Sequence, residues 1–254
     1  MADQPEDHDD RRELLGTSFG KVAGQYARSR PKYPRDAVAH AIDAEDIVLE
    51  LGAGTGLLTD TILDLAPQQL LATDISLKML RELERGHPAV ACLAARAEQL
   101  PFAENTFTTA IAGQAVHWFK LDLAVPDLQR VLQRGGRLAM IWNRRDLSID
   151  WVREFDRITR AHVVESVGFD IAAEISQSGY FGPFDRFTSG LDHVISLEAA
   201  RDLVASFSHV STLEEATRTK TIESALELLK NHAYDKEQVT IPYFTEIFIA
   251  RSTK

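Results

Sequence analysis

Residues 48–57 read Val48-Leu-Glu-Leu-Gly-Ala-Gly-Thr-Gly-Leu57, and this stretch decides the fold. An apolar run leads into it, and glycine stands at Gly52, Gly54 and Gly56. Glycine lets a backbone turn tightly and approach a ligand closely. The residues that follow have helical periodicity, which completes the strand–turn–helix context of a nucleotide-type turn. The sequence therefore predicts a ligand-binding turn at the carboxyl end of a buried strand.

The rest of the chain alternates short apolar runs with segments of helical periodicity, which is typical of βαβ units. Helices are predicted at 56–65, at 76–84 with Ser76 as N-cap, and at 122–133 before the stop signal Gly135-Gly136. Strands are predicted at 47–51, 70–73, 90–94, 108–112, 137–142, 186–193 and 240–250. We expect an α/β fold: a doubly wound, Rossmann-like, mainly parallel seven-stranded sheet whose antiparallel last strand closes an edge.

Two stretches do not fit a minimal sheet, at about 16–40 and about 146–184. We interpret both as helical cap elements over the carboxyl edge of the strands, where ligands bind in such folds. Residues 1–10 are polar and mostly acidic, and residues 1–15 are predicted to be a disordered acidic tail. The remainder, 16–254, is predicted to be a single domain.

The composition of the chain excludes several kinds of ligand and site. The 254 residues carry a formal net charge of −10, which argues against a broad phosphate-binding surface and favours a small-molecule substrate over nucleic acid. A single cysteine, Cys92, excludes an intramolecular disulfide and a zinc site built on several thiolates, so no metal is expected. The sequence has neither a membrane-length apolar run nor a signal-peptide pattern, so a cytoplasmic location without membrane binding is expected. It does not indicate an oligomeric state.

The spacing of the glycines separates two kinds of cofactor. A dinucleotide turn starting at Gly52 needs a further glycine where Leu57 stands. The acidic residue before the turn, Glu50, would repel a pyrophosphate but could hydrogen-bond to an ammonium group, which fits the methionine part of S-adenosylmethionine. Asp74, at the end of the second strand, could accept from both ribose hydroxyls, and Ile75 could pack on adenine. Asp74 as a plain turn residue is the alternative.

At this point the chain resembles the class I S-adenosylmethionine-dependent methyltransferases. More narrowly, it resembles the small-molecule group that includes the ubiquinone-biosynthesis and trans-aconitate methyltransferases. The resemblance covers most of the chain from Phe19 to Met140. It rests on the segment Phe19 to Pro34, the turn Glu50 to Gly56, the run Ala97-Glu-Gln-Leu-Pro-Phe with Phe107, and Gln114-Ala-Val-His-Trp-Phe.

The resemblance implies cofactor contacts outside the glycine turn. The backbone of Ala97 and the side chain of Glu98 would meet the adenine. Many relatives have an aspartate just before that alanine, and this chain has Arg96, so the side-chain contact shifts to Glu98. An exposed glutamate at a strand end is the alternative for Glu98.

In related enzymes the N-terminal segment is a lid over the cofactor. Tyr26 and Arg30 would then bind the cofactor's carboxylate, with Tyr33 in the same cofactor-binding segment. Arg30 could instead face an anionic acceptor. A surface helix with scattered charges is the alternative. Of the two arginines after the fifth strand, Arg144 and Arg145, at most one is expected to reach the cleft.

The turn after the fourth strand borders both the methionine part of the cofactor and the acceptor in this family. Gln114 is carried over as a cofactor contact. His117 is a candidate general base, although a positioning hydrogen bond is equally compatible with its place. Trp118 is a candidate wall of the acceptor pocket or an indole donor, with plain packing beneath the cap as the alternative.

The predicted activity is methyl transfer from S-adenosylmethionine to a small molecule, by O-, C- or N-methylation, with a small acid as one candidate acceptor. A non-catalytic S-adenosylmethionine-binding partner or regulator is a second interpretation, because fold does not fix function. A nicotinamide-dependent oxidoreductase on the same general fold is a third, and Glu50 and Leu57 count against it.

Overall fold

The computed structural model describes residues 29–160, 171–234 and 237–254. Its sheet has seven strands. They are β1 (Ile47–Leu51), β2 (Gln69–Asp74), β3 (Ala91–Ala94), β4 (Phe107–Gly113), β5 (Leu132–Arg145), β6 (Asp185–Ser196) and β7 (Gln238–Arg251). All seven predicted strands are present, and β1 has its predicted bounds.

The strand order is β3-β2-β1-β4-β5-β7-β6, and β1 to β5 pair in parallel. β7 pairs antiparallel with both of its neighbours. Strands covered on both faces consist of nearly continuous apolar residues, as in β1, where Val48 to Leu51 are all buried. The predicted doubly wound, mainly parallel sheet is confirmed. The order reverses between β1 and β4, so the glycine turn lies at the switch point.

The helices that follow the early strands match the predicted βαβ pattern. Ser76 caps its helix as expected, since its hydroxyl accepts from the Met79 amide at 3.4 Å. The described helices are α1 (Arg35–Val38), α2 (Leu57–Asp64), α3 (Leu77–Gly86), α4 (Leu121–Val131), α5 (Asp150–Thr159), α6 (Ile171–Gln177), α7 (Leu197–Ala205), α8 (Ser208–Ser211) and α9 (Glu215–Asn231). None of these helices is long and apolar enough to cross a bilayer.

Two details of the predicted secondary structure and sheet order are wrong. The antiparallel β7 does not close an edge, because it lies between β5 and β6 and leaves β6 as the edge strand. Gly135-Gly136 does not stop a helix, because α4 already ends at Val131. These glycines lie inside β5, where the pairing shifts from Phe107–Leu132 to Thr109–Arg137. Gly135 has φ +67°, which explains why glycine is needed at this bulge.

A helical region follows β5 and has its own buried core. It comprises α5, α7, α8 and α9 together with the adjoining ends of β6 and β7. Its core contains Phe155, Leu203, Val204 and Leu229, which are all fully buried. The segment 197–231 was not assigned to any element from its sequence.

The predicted caps are described only in part. The tail 1–15 and the first part of the N-terminal cap lie outside the described residues, as do residues 161–170 of the second cap. Within the described part, the N-terminal cap holds α1, and the second cap holds α5 and α6. The division into tail and single domain stays a prediction.

Candidate active site

The three glycines of the turn have left-handed backbone conformations but different surroundings. Their φ angles are +62° at Gly52, +58° at Gly54 and +96° at Gly56. A Cβ on Gly52 would lie 2.6 Å from the Cβ of Ala115, and one on Gly56 would lie 3.2 Å from Leu83. A Cβ on Gly54 would meet nothing within 4 Å. Gly52 and Gly56 therefore allow close packing against their neighbours. Gly54 borders open space, so it is the glycine that a ligand can approach closely.

Glu50 is a buried carboxyl group beneath this turn, with 1% of its surface exposed. Its Oε2 accepts from the Thr59 hydroxyl at 2.7 Å. Its Oε1 is buried and has no hydrogen-bond partner in the described part of the chain. Burial, and to a smaller extent the nearby Asp74 and Asp60, raises the pKa of Glu50 to about 8, against the pull of the Thr59 hydrogen bond. A buried polar atom without a partner is costly, which marks this atom as one that a ligand would satisfy.

Asp74 is fixed by backbone amides at the end of β2. Its Oδ2 accepts from Gly54 N–H at 2.9 Å and its Oδ1 accepts from Ser76 N–H at 2.7 Å. Burial raises the pKa of Asp74, while these amides oppose that rise. Each oxygen keeps a lone pair for another donor. The adjacent Ile75 is 44% exposed, so an apolar surface stands beside an oriented carboxylate.

A small cleft joins the turn to the N-terminal segment. Tyr33 forms one wall: a Cβ on Gly113 would lie 2.8 Å from the Tyr33 hydroxyl oxygen, so the ring needs a glycine at the end of β4. The lining residues come from β1, the turn, α2, the end of β4 and the N-terminal segment. They are Tyr33, Glu50, Gly52, Ala53, Gly54, Thr55, Leu57, Leu58 and Gly113.

Asn143 on β5 connects the N-terminal segment to the turn after β4. Its side-chain amide donates to Pro31 O at 3.1 Å and to Lys32 O at 3.2 Å, and its backbone oxygen accepts from Gln114 Nε2 at 3.0 Å. The Thr245 hydroxyl on β7 donates to Asn143 Oδ1 at 2.6 Å. Asn143 therefore holds two loops at the carboxyl edge of the sheet.

The turn after β4 packs against the glycine turn. Gln114 has φ +54°, a strained conformation that occurs more often at functional sites. Ala115 meets Gly52, and a short 3₁₀ helix, Val116–Trp118, follows. The rings of His117 and Trp118 are 4.8 Å apart and both residues are half-buried. These contacts bring the predicted acceptor residues to the sheet edge that carries the cofactor motifs.

The residues predicted to meet adenine lie beside the same turn. Ala97 is 6% exposed, and Glu98 Oε1 accepts from the Lys120 amide at 2.9 Å. Glu98 therefore links the segment after β3 to the end of the turn that holds Trp118. Its contact with adenine stays a prediction.

The arginines considered as candidates for the cleft bind different partners. Arg30 donates from Nε to Ser206 Oγ at 3.1 Å and from Nη2 to Ser206 O at 3.0 Å, which places it at the end of α7 rather than in the cleft lining. Arg144 pairs with the buried Glu246 at 3.0 Å, and Arg145 pairs with Asp156 at 2.7 Å. Tyr26 lies outside the described residues. A role for Tyr26 or Arg30 in binding the cofactor's carboxylate is untested.

Three residues of the site did not emerge from the sequence. Thr59 holds Glu50, Gly113 makes room for Tyr33, and Asn143 joins the two loops. Gly113 had a readable signal, because a glycine ends an apolar strand just before the Gln114 turn. Thr59 and Asn143 act through contacts with residues 9 and 112 positions away, and common polar residues give no pattern for such contacts.

Comparison with known proteins agrees with this geometry. A family model described as a methyltransferase domain matches residues 49–140. An uncharacterized methyltransferase of Mycobacterium tuberculosis is 32% identical over 234 residues, which cover 91% of this chain and 94% of the relative. A malonyl-[acyl-carrier protein] O-methyltransferase of Herminiimonas arsenicoxydans is 33% identical over 129 residues, 49% of each chain.

Among solved structures, a candidate type II methyltransferase of Anaeromyxobacter dehalogenans has the same fold. Its TM-score is 0.64 at 21% identity, with 88% of this chain and 97% of that chain covered. The near full-length relative in M. tuberculosis, the matching domain model and the strand–turn–helix geometry agree. The chain belongs to the class I S-adenosylmethionine-dependent methyltransferases.

Proposed function

We propose that this enzyme transfers the methyl group of S-adenosylmethionine to a small-molecule acceptor. The observation that carries the proposal is the buried Oε1 of Glu50, which has no partner among the described residues and lines the cleft beneath an open glycine turn. Such an atom needs a partner, and the ammonium group of an amino acid is a donor whose charge is opposite to that of the ionised carboxylate.

The residues present fit that cofactor. Glu50 would accept from its ammonium group, and Asp74 would accept from its ribose hydroxyls with the lone pairs that the amides of Gly54 and Ser76 leave over. The exposed face of Ile75 would support adenine, and Gly54 would allow close approach of the backbone. When bound, the cofactor supplies an activated methyl group on a sulfonium centre.

The protein's task is then to orient the acceptor and exclude water. Trp118 would give the acceptor pocket a flat apolar wall, while His117 would position the acceptor or take its proton. A carboxylate acceptor needs no base, whereas a phenol or carbon acid does. The net charge of −10 argues against a nucleic-acid acceptor. The H. arsenicoxydans relative is named for O-methylation of a malonyl-[acyl-carrier protein], which supports an oxygen acceptor as one candidate.

The experiment is a calorimetric titration with S-adenosylmethionine, S-adenosylhomocysteine and a nicotinamide dinucleotide. We expect the first two ligands to bind and to raise the melting temperature, as mass action requires. Asp74→Asn should weaken binding by about 1–3 kcal/mol, because it removes the charge that the ribose hydroxyls would meet. No binding at millimolar S-adenosylhomocysteine would contradict the proposal.

A screen of acceptors that detects released S-adenosylhomocysteine then separates an enzyme from a binding protein. Release with a carboxylate, phenol, carbon-acid or amine acceptor supports the proposal. Tight cofactor binding without release across all of these acceptor classes would favour the non-catalytic alternative.

A further inference from the structure

A second buried polar atom without a partner belongs to the same cleft as Glu50. The hydroxyl oxygen of Thr55 is buried, and within residues 29–160, 171–234 and 237–254 it has no hydrogen-bond partner. Thr55 lines the cleft together with Glu50, whose Oε1 is the other such atom. A buried hydroxyl without a partner is costly. Two atoms of one small cleft are therefore ones that a ligand would satisfy.

The two atoms differ in the charge that they can receive. The ionised carboxylate of Glu50 attracts an ammonium group, as proposed above. A hydroxyl group can instead donate its proton to an anion, which a carboxylate cannot do. The amino-acid end of S-adenosylmethionine carries both an ammonium group and a carboxylate on one carbon atom. When Glu50 receives the ammonium group, the carboxylate still needs a donor.

The position of Thr55 favours an anion. It directly precedes Gly56, the N-cap of α2, and this glycine has no side chain that could cap the helix. The first amides of a helix have no partners within the helix, and they give this end a partial positive charge. Leu57 and Leu58, the first residues of α2, also line the cleft. A carboxylate next to Thr55 would therefore lie at the positive end of a helix.

The acidic side chain in the first turn of α2 is bound elsewhere. Asp60 Oδ1 contacts His87 Nε2 at 2.8 Å, and Asp60 Oδ2 lies 3.8 Å from Lys32 Nζ. Asp60 is not one of the residues that line the cleft. The amino end of α2 therefore presents its amides and Thr55 to the cleft rather than this carboxylate.

The partner that the resemblance implies for the cofactor's carboxylate is placed differently. Arg30 donates to Ser206 and does not line the cleft. Among the described lining residues, three have polar side chains, which are Tyr33, Glu50 and Thr55. The Tyr33 hydroxyl lies against Gly113 at the end of β4, whereas Thr55 lies at the amino end of α2.

We propose that the Thr55 hydroxyl donates to the carboxylate of the bound cofactor, while Glu50 accepts from the ammonium group. The two charges of the amino-acid end are then recognised by different side chains of one cleft. Thr55 thereby determines specificity for a cofactor with a free carboxylate. This inference rests on the proposed function, and it assigns the carboxylate to the glycine turn rather than to the N-terminal segment.

The first test compares three ligands by calorimetry. They are S-adenosylhomocysteine, its decarboxylated analogue, which keeps the amine, and its deaminated analogue, which keeps the carboxylate. Thr55→Val keeps the shape of the side chain without the hydroxyl, so it should weaken binding of the two ligands with a carboxylate by about tenfold. Its affinity for the decarboxylated analogue should equal that of the wild-type protein.

Two further variants serve as controls for this comparison. Thr55→Ser keeps a hydroxyl and should retain most of the affinity. Thr106→Val should bind all three ligands as the wild-type protein does, because the Thr106 hydroxyl donates to Ala103 O outside the cleft. Thr55→Ala removes the hydroxyl with a smaller side chain, and it gives the same comparison if valine does not fit the turn.

The pattern over the three ligands decides the outcome. An equal loss for all three, or a loss confined to the decarboxylated analogue, would overturn the proposal, because Thr55 would then serve the shape of the turn or the ammonium group. Unchanged affinity of Thr55→Val for S-adenosylhomocysteine would also overturn it. Failure of the wild-type protein to bind S-adenosylhomocysteine would contradict the proposed function itself, so the two failures are distinguishable.

The second test needs no ligand. Thr55→Val removes a buried hydroxyl that lacks a partner, so the melting temperature of the free protein should stay the same or rise. Thr73→Val is the matched comparison, since Thr73 is 1% exposed and its hydroxyl donates to Glu50 O at 3.0 Å. Loss of that hydrogen bond should lower the melting temperature. An equal fall in Thr55→Val would show that its hydroxyl stabilises the free protein, and this result would overturn the proposal.

Discussion

The cofactor half of the molecule, residues 47–118, and the helical region after β5 are built on different principles. In the cofactor half, the backbone shapes most of the site. Glycines with positive φ form the turn, and backbone amides orient the carboxylate of Asp74. In the helical region, long side chains make the structure, with Arg145 held between Phe155 and Phe207. A backbone-built site depends on glycine spacing and is readable in a sequence. Contacts between arginine and aromatic side chains leave no such spacing.

The largest expected effect tests whether the two regions are energetically separate. Phe155 is fully buried and packs on Arg145, so Phe155→Ala should lower the free energy of unfolding by about 3–5 kcal/mol. Urea denaturation measures this loss. The matched control is Leu123→Ala on α4, whose side chain is 52% exposed and whose loss should stay within about 0.5 kcal/mol.

The comparison predicts that folded Phe155→Ala protein keeps the wild-type affinity for S-adenosylhomocysteine. A parallel fall in that affinity would show that the helical region supports the cofactor cleft, and the contrast between the regions would then break down.

The next effect concerns the backbone-built turn. Gly54→Val places a branched side chain in the open space of the cleft at φ +58°, so it should reduce S-adenosylhomocysteine affinity by on the order of 10²-fold and cost about 1–3 kcal/mol of stability. Calorimetry and denaturation give the two numbers. Gly86→Ala, at a site with equally open surroundings but without a positive φ, should change neither quantity appreciably. Normal affinity of Gly54→Val for S-adenosylhomocysteine would show that the glycine turn does not contact the cofactor.

A matched pair of tryptophans compares the regions directly. Trp118 lies on the turn beside the cleft, whereas Trp151 on α5 stacks on His232 at 4.7 Å. Trp118→Ala should reduce turnover by on the order of 10²-fold with little change in cofactor affinity, because the acceptor loses its positioning wall. Trp151→Ala should lower stability and leave turnover intact. Full activity of Trp118→Ala on an identified acceptor would place the acceptor pocket elsewhere.

The smallest expected effect is the release of a proton when the cofactor binds. Glu50 is largely protonated below pH 8 in the empty cleft, and a bound ammonium group favours its ionised form. Cofactor binding at pH 6–7 should therefore release up to about one proton, measurable as a difference in binding heat between buffers of different ionisation enthalpy. Glu50→Gln should abolish this release and weaken binding. Release of the same size in Glu50→Gln would assign the proton to another group.

The same residue fixes the sign of a stability change in the free protein. Because folding raises the pKa of Glu50 from 4.5 to about 8, the folded state holds a proton that the unfolded state has lost within this range. Glu50 therefore lowers stability as the pH rises from about 4.5 to 8, and Glu50→Gln should flatten this part of the profile.

The elements of the cofactor half could be predicted from the sequence because their sequence signals are local. The apolar runs predict β1 to β4 to within one or two residues, and Ser76 caps its helix as expected. The prediction failed at Gly135-Gly136, because a glycine pair at a bulge looks like one that ends a helix. It also failed to assign 197–231, since the core of α7 and α9 forms against α5, which lies far away in the chain. Arg30 contacts Ser206, which lies 176 positions later, and only tertiary structure brings the two residues together.

The hydrogen bonds of Asn143 also join parts of the chain that the ribosome makes at very different times. Its amide oxygen is bound by Thr245, 102 residues later, and its amide nitrogen donates to Pro31, 112 residues earlier. A nascent chain that has exposed only β1 to β5 already contains the glycine turn, Glu50 and Asp74. It lacks the strand that locks Asn143 in the orientation that receives the N-terminal segment. β7 therefore adds one part of the support for the N-terminal segment, whereas Thr61 of α2, whose hydroxyl donates to Tyr33 O at 3.0 Å, supplies another part from a region made earlier.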